Sequence, residues 1–159
     1  MPPQHLMCSV EELLHVVESL HAMAFPQQRQ ERADRWSGPG YHVAVLVESQ
    51  DFWEDRSSEV VEEAEESIEA LLVGLAALLT ERWGAPGAVD LWPYLGFDNP
   101  DPHFQAPEPM NSLCGLAGSM QVWRPPASDR WIALTIGQAD PEFPLQLLAA
   151  VGEGSALPG

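Results

Sequence analysis

The chain has no lysine. Its seven basic residues are all arginine, set against 24 acids, and the formal net charge is −17. A surface that negative is repelled by phosphate, which argues against nucleic-acid binding. Anionic membrane surfaces are disfavoured for the same reason. Cysteine is scarce too, with only Cys8 and Cys114. Two cysteines do not make a disulfide framework, so a reducing, cytoplasmic setting is expected. Long apolar runs are missing. The longest, Ala70–Leu79, has ten residues, well short of the roughly 18 that suggest a membrane span. The opening MPPQHLMCSVEELL has no basic region ahead of an apolar core, so it does not read as a signal peptide. Metal and phosphate motifs are absent as well. There is no H-E-x-x-H, no D-x-[DN]-x-[DN]-G calcium loop and no phosphate-binding glycine loop, so no cofactor or metal is expected.

What is present is globular. With 159 residues, 45% hydrophobic and 19% charged, the chain is long enough for one core without staples. Residues 1–151 read as a single α+β domain and 152–159 as a flexible C-terminal tail. Ser9–Ala24 reads as a helix. Ser9 and Glu12 make a capping box, and Val10, Leu13, Leu14, Val17 and Leu20 recur at helical spacing. Gln27–Trp36 is polar and reads as a loop or an exposed helical extension. After Gly38-Pro39-Gly40, Tyr41–Ser49 is a β-branched run typical of a buried strand.

Ser58–Trp83 is the strongest helix. Val61, Ala64, Ile68, Leu71, Leu75 and Leu78 form its stripe, and its second half is apolar nearly all round, which predicts burial on several sides. Ala88–Trp92 reads as a short strand, Pro93–Pro109 as a long loop, and Asn111–Gly118 as holding a helical turn. Ser119–Arg124 and Arg130–Gly137 form a hairpin. Pro144–Val151 alternates as a last strand, with a helix capped at Asp140-Pro141 as the other reading. The order α-β-α-β-β-β-(β or α) predicts two helices on one face of a mostly antiparallel sheet of four or five strands.

In the simplest register of the hairpin, Trp123 stands opposite Trp131, Val122 opposite Ile132 and Met120 opposite Leu134. The aliphatic pairs would then face the helices. The two indoles would share a mixed second face, open to cover by the 93–109 loop or by a partner.

Charge is concentrated in one stretch. Ten of the 24 acids lie between Glu48 and Glu69, answered only by Arg56. Glu59, Glu62, Glu63 and Glu66 are spaced three and four apart and so share a helix face. This is either a solvated face or a docking face for a basic protein. A hard-cation site is a third option, without a calcium loop to support it. The aromatics Trp92, Tyr94, Phe97 and Phe104 in and beside the long loop, with Trp123 and Trp131, read either as a cap on a small core or as interface anchors. Glu59, Glu62, Glu63, Glu66, Trp92, Tyr94, Trp123 and Trp131 are therefore the candidate partner-binding residues.

Other groups offer less. Glu11, His15 and Glu18 make a row on the first helix that reads as surface charge. His42 reads as a satisfied core or edge residue. Cys114, among small residues, reads as packing rather than as a nucleophile, and no catalytic residue is assigned. In size, acidity and lack of motifs the chain looks like toxin-neutralising immunity proteins or other accessory binding proteins of bacteria. That likeness implies a non-enzymatic module for a basic protein. Two alternatives stand beside it. One is a small-ligand protein or enzyme with a pocket under the 93–109 loop, using Asp90, Asp98, Asp101, His103 and Cys114. The other is a subunit of a homo-oligomer.

Overall fold

The computed structural model describes residues 9–154. Cys8 and His5 fall outside them, as does most of the expected tail. The fold is α+β, as expected, but richer than expected. One antiparallel sheet has seven strands: β1 (Gln30–Glu31), β2 (Arg35–Gly38), β3 (Tyr41–Glu48), β4 (Gly87–Asp90), β5 (Ser119–Trp123), β6 (Arg130–Gly137) and β7 (Gln146–Glu153). Their spatial order is β1-β2-β3-β7-β6-β5-β4. The helices are α1 (Val10–Ala22), α2 (Ser58–Trp83) and the single-turn α3 (Met110–Leu113).

Both long helices start where their caps sit. The Ser9 hydroxyl accepts from the Glu12 amide, and Ser57 does the same for Val60. Leu13, Leu14, Val17 and Leu20 of α1 and Ala64, Ile68, Leu75 and Leu79 of α2 are buried. The apolar second half of α2 departs from expectation. Val73 is 62% exposed, because α2 lies in an outer layer and nothing among the described residues covers its far side.

Gln27–Trp36 is not a helix but carries the edge strand β1 and the start of β2, which lies between β1 and β3. Their polar residues suit a sheet margin that keeps one side in water. The final segment is the strand β7, and it continues through Gly152 and Glu153, so the domain runs past the expected limit at 151. It pairs with β3 on one side and β6 on the other, which places it at the sheet centre.

The hairpin register is one residue away from the simplest one. Trp123 pairs with Ile132, Val122 with Ala133 and Gln121 with Leu134. A one-residue shift exchanges faces along a strand. Trp123 therefore joins Ile132, Leu134 and the helices in one core, while Trp131 joins Val122, Met120 and Ala133 in a second core on the opposite face. The turn explains the shift. Ala127 adopts φ 61°, a left-handed conformation that its side chain does not advertise.

The second face is covered by the chain itself. Leu91, Met110 and Leu113 are fully buried against it, with Tyr94 and Leu116 alongside. A polar clamp holds this cover. Arg29 donates to the Tyr41 hydroxyl and to Glu108, and Glu108 accepts from the backbone and side chain of Ser112.

Trp131 is 0% exposed and Trp123 1%. Each indole N–H is satisfied, Trp131 by the Glu153 carbonyl at 2.7 Å and Trp123 by the Thr80 hydroxyl at 3.2 Å. Trp131 lies across Gly152, its cross-strand partner, where any Cβ would collide with the ring. Trp123→Ala and Trp131→Ala should each cost about 3–5 kcal/mol in denaturant unfolding. Gly152→Ala should destabilise by about 1–3 kcal/mol through overpacking. A change under about 0.5 kcal/mol at all three positions would contradict the two-core arrangement.

Candidate functional site

The burial of Trp123 and Trp131 corrects their reading as interface anchors, since both are sealed in cores. Tyr94 is half-buried in the second core, where burial raises its phenol pKa. Trp92 remains at the surface, 52% exposed. Its ring leans on Phe97 and its indole N–H donates to Asp98. Glu59, Glu62, Glu63 and Glu66 are all exposed on α2. The structure does not bring the two halves of the expected surface together. The glutamates ride on the helix layer, while Trp92 and Tyr94 belong to the segment on the opposite face of the sheet.

An exposed indole does stand beside the acids, and sequence reasoning passed over it. The connector between β3 and α2 is pinned at two points. The Ser49 amide donates to the Leu145 carbonyl, and the Phe52 amide donates to the Glu142 carbonyl at 2.8 Å. Phe52 is driven fully into the first core. Its neighbour Trp53 is thereby turned outward, 60% exposed. Trp53 packs on Phe143, itself partly exposed, with ring centroids 5.4 Å apart. Arg56 bonds Glu142 at 2.9 Å and ties the connector to the 140–143 turn. Asp55 accepts from the Ser57 amide, and the Ser57 backbone and side chain hold its carboxyl below the usual range. The α2 glutamates follow within two turns. The signal lay in DFWED: a Trp among acids, next to a residue better placed to be the anchor.

This arrangement offers an aromatic platform in a negative field, not a reaction centre. Among the described residues no three of His, Cys, Asp and Glu converge as metal ligands. Glu18 of the α1 row is spent on Arg82 at 2.9 Å. Burial raises the Cys114 thiol pKa and the Glu108 charge adds to it, the opposite of what a reactive thiolate needs. Of the polar groups considered for a pocket under the long loop, only Asp90 lines the open cleft there. Cys114 lines a separate shallow depression with Trp92 and Leu95.

A cleft of about 650 Å³ is lined by Phe25, Arg124, Asp129, Arg130 and Glu153 among others, a mixed-charge wall. Arg130 is occupied in holding the end of α1. It donates to the carbonyls of His21 and Met23 and lies over the Phe25 ring at 3.8 Å. Comparison with protein-family models, with curated proteins and with solved structures matches none of them.

His42 is buried and fully bonded, to the Ser37 hydroxyl at 2.6 Å and the Met23 carbonyl at 3.1 Å. Burial lowers its pKa, and Arg130 and Arg35 push the same way against the Met23 bond. His21 is lowered by burial and by Arg130. In both cases the unfolded chain takes up the proton first as pH falls. Their contribution is therefore full above about pH 6.5 and is lost as pH drops through the folded values. Urea unfolding at pH 7.5 and 5.5 should show a smaller stability loss for His42→Gln than for the unaltered chain. An equal loss in both would remove His42 from the account.

Proposed function

We propose that this chain is a non-enzymatic, acidic protein-binding module of the neutralising or accessory type, and that its partner is a basic protein. The observation that carries the reading is the Trp53–Phe143 pair, held open to solvent, whose Trp53 lies inside the segment that concentrates ten of the chain's 24 acids. An exposed aromatic pair costs solubility unless something covers it. Tyr, Trp and Phe are the side chains that anchor protein interfaces. The glutamates supply the second ingredient, long-range attraction of a cationic surface. Two cysteines and no membrane-crossing helix among the described residues suit a cytoplasmic place of action.

The two parts of the surface make separable contributions. Exposed charges act on encounter, and a packed ring acts on residence. Against a basic protein retained from native lysate at low salt, Glu62→Lys, Glu63→Lys and Glu66→Lys combined should slow association by about tenfold or more with dissociation nearly unchanged. Trp53→Ala should leave association intact and speed dissociation by about tenfold. Raising salt should erase the charge effect first. Association rates indifferent to both salt and charge reversal would defeat the proposal.

A further inference from the structure

A second surface lies on the other layer and stands without the reading above. β4 is the outermost strand at its end of the sheet. Among the described residues it pairs only with β5. The Leu91 amide donates to the Gly118 carbonyl at 2.9 Å, which extends the β4–β5 ladder by one hydrogen-bonded pair. In an antiparallel ladder such pairs alternate. Gly87 and Val89 therefore bond across to Val122 and Met120, while Ala88 and Asp90 aim their N–H and C=O groups away from the sheet. β4 has no Pro or Lys within it, and among the described residues no helix covers its outer side, so two of the guards against strand addition are missing.

A cleft of about 520 Å³ runs along that edge. Its walls are residues 88–90 with Pro93, Tyr94, Asn99 and Phe104. Backbone donors and acceptors thus stand beside aromatic side chains, the combination by which extended peptides are added to sheets. The charge of the occupant is set as well. From Arg82 to Arg124 the chain contains no other Arg or Lys, while Asp90, Asp98, Asp101 and Glu108 fall between them. Glu108 is engaged by Arg29. The three aspartates accept only from neutral N–H groups of their own loop: Asp90 from the Trp92 amide, Asp98 from the Trp92 indole and Asp101 from the His103 amide. We infer that the free edge of β4 takes an extended, arginine- or lysine-bearing segment of a partner protein as an eighth strand, with its apolar residues on Tyr94 and Phe104. A second copy of this chain fits less well, because pairing β4 with itself brings two such acidic loops together.

The test uses the full chain, ¹⁵N-labelled, and a capped ten-residue peptide alternating valine and arginine. The expected result is slowed amide exchange at Ala88 and Asp90, with shifts at Tyr94 and Phe104. The matching valine–glutamate peptide should produce neither. Ala88→Pro removes an outward N–H without touching a β5 bond and should weaken peptide binding by about tenfold or more, while Ala88→Val keeps it. Shifts confined to the glutamates of α2 would overturn the inference. So would equal response to the glutamate peptide, or protection of the β4 amides by dimerisation without peptide. Should Ala88→Pro fail to fold, the exchange of the Ala88 and Asp90 amides in the unaltered chain decides alone.

Discussion

The pairing of Trp123 with Ile132 across β5 and β6 is the constraint on which the rest of the molecule depends. It sends one indole to each face of the sheet. A face that holds Trp123 must be roofed by helices, and α1 and α2 supply that roof. A face that holds Trp131 must be roofed too, and the chain uses residues 91–117 for it, closed by Leu91, Met110 and Leu113. The central strands are consequently buried on both sides. The long segment after β4 is thereby a structural layer packed on the sheet.

Once both faces are spent on packing, the proposed recognition falls to the periphery. Among the described residues the unspent peripheral features include the acidic start of α2, the Trp53–Phe143 pair beside it, the exposed Trp92–Phe97 pair and the outer edge of β4 with its cleft. The first two share one layer and the last two belong to the other. Phe52 links core and periphery. Its burial in the first core is what turns Trp53 into solvent, so a packing contact sets the position of the candidate anchor. The charge serves the same division. Few arginines are free for the surface: Arg29, Arg56 and Arg82 bind carboxylates, and Arg130 is taken by backbone carbonyls. Much of the exterior is left negative.

The helices were legible because their signals are local. The Ser9 cap and the 3.6-residue stripes mark Ser9–Ala24 and Ser58–Trp83, against observed helices of Val10–Ala22 and Ser58–Trp83; the cap at Ser57 was not read. β3 and β7 were legible from β-branched and alternating runs. The hairpin register was not, for two physical reasons. The turn RPPASD carries its left-handed residue as Ala127, with no Gly or Asn to show it. Strands covered on both faces also lose the polar alternation that would reveal which side faces the core. β1 and β2 were hidden in polar sequence because short strands at a sheet margin are stabilised by pairing, not by their own apolar side chains. The acidic half of the candidate site could be read directly from glutamate spacing. Its aromatic half could not, since a buried and an exposed Trp look alike in sequence, and only the fate of Phe52 separates Trp53 from Trp123.

The most direct measurement of the central claim is paramagnetic broadening of the tryptophan indole N–H signals by a cationic and an anionic nitroxide. The account predicts that the cationic probe broadens Trp53 strongly and the anionic probe hardly at all, while Trp123 and Trp131 respond to neither. A Trp53 signal indifferent to both probes, or a Trp131 signal broadened as much as Trp53, would contradict it.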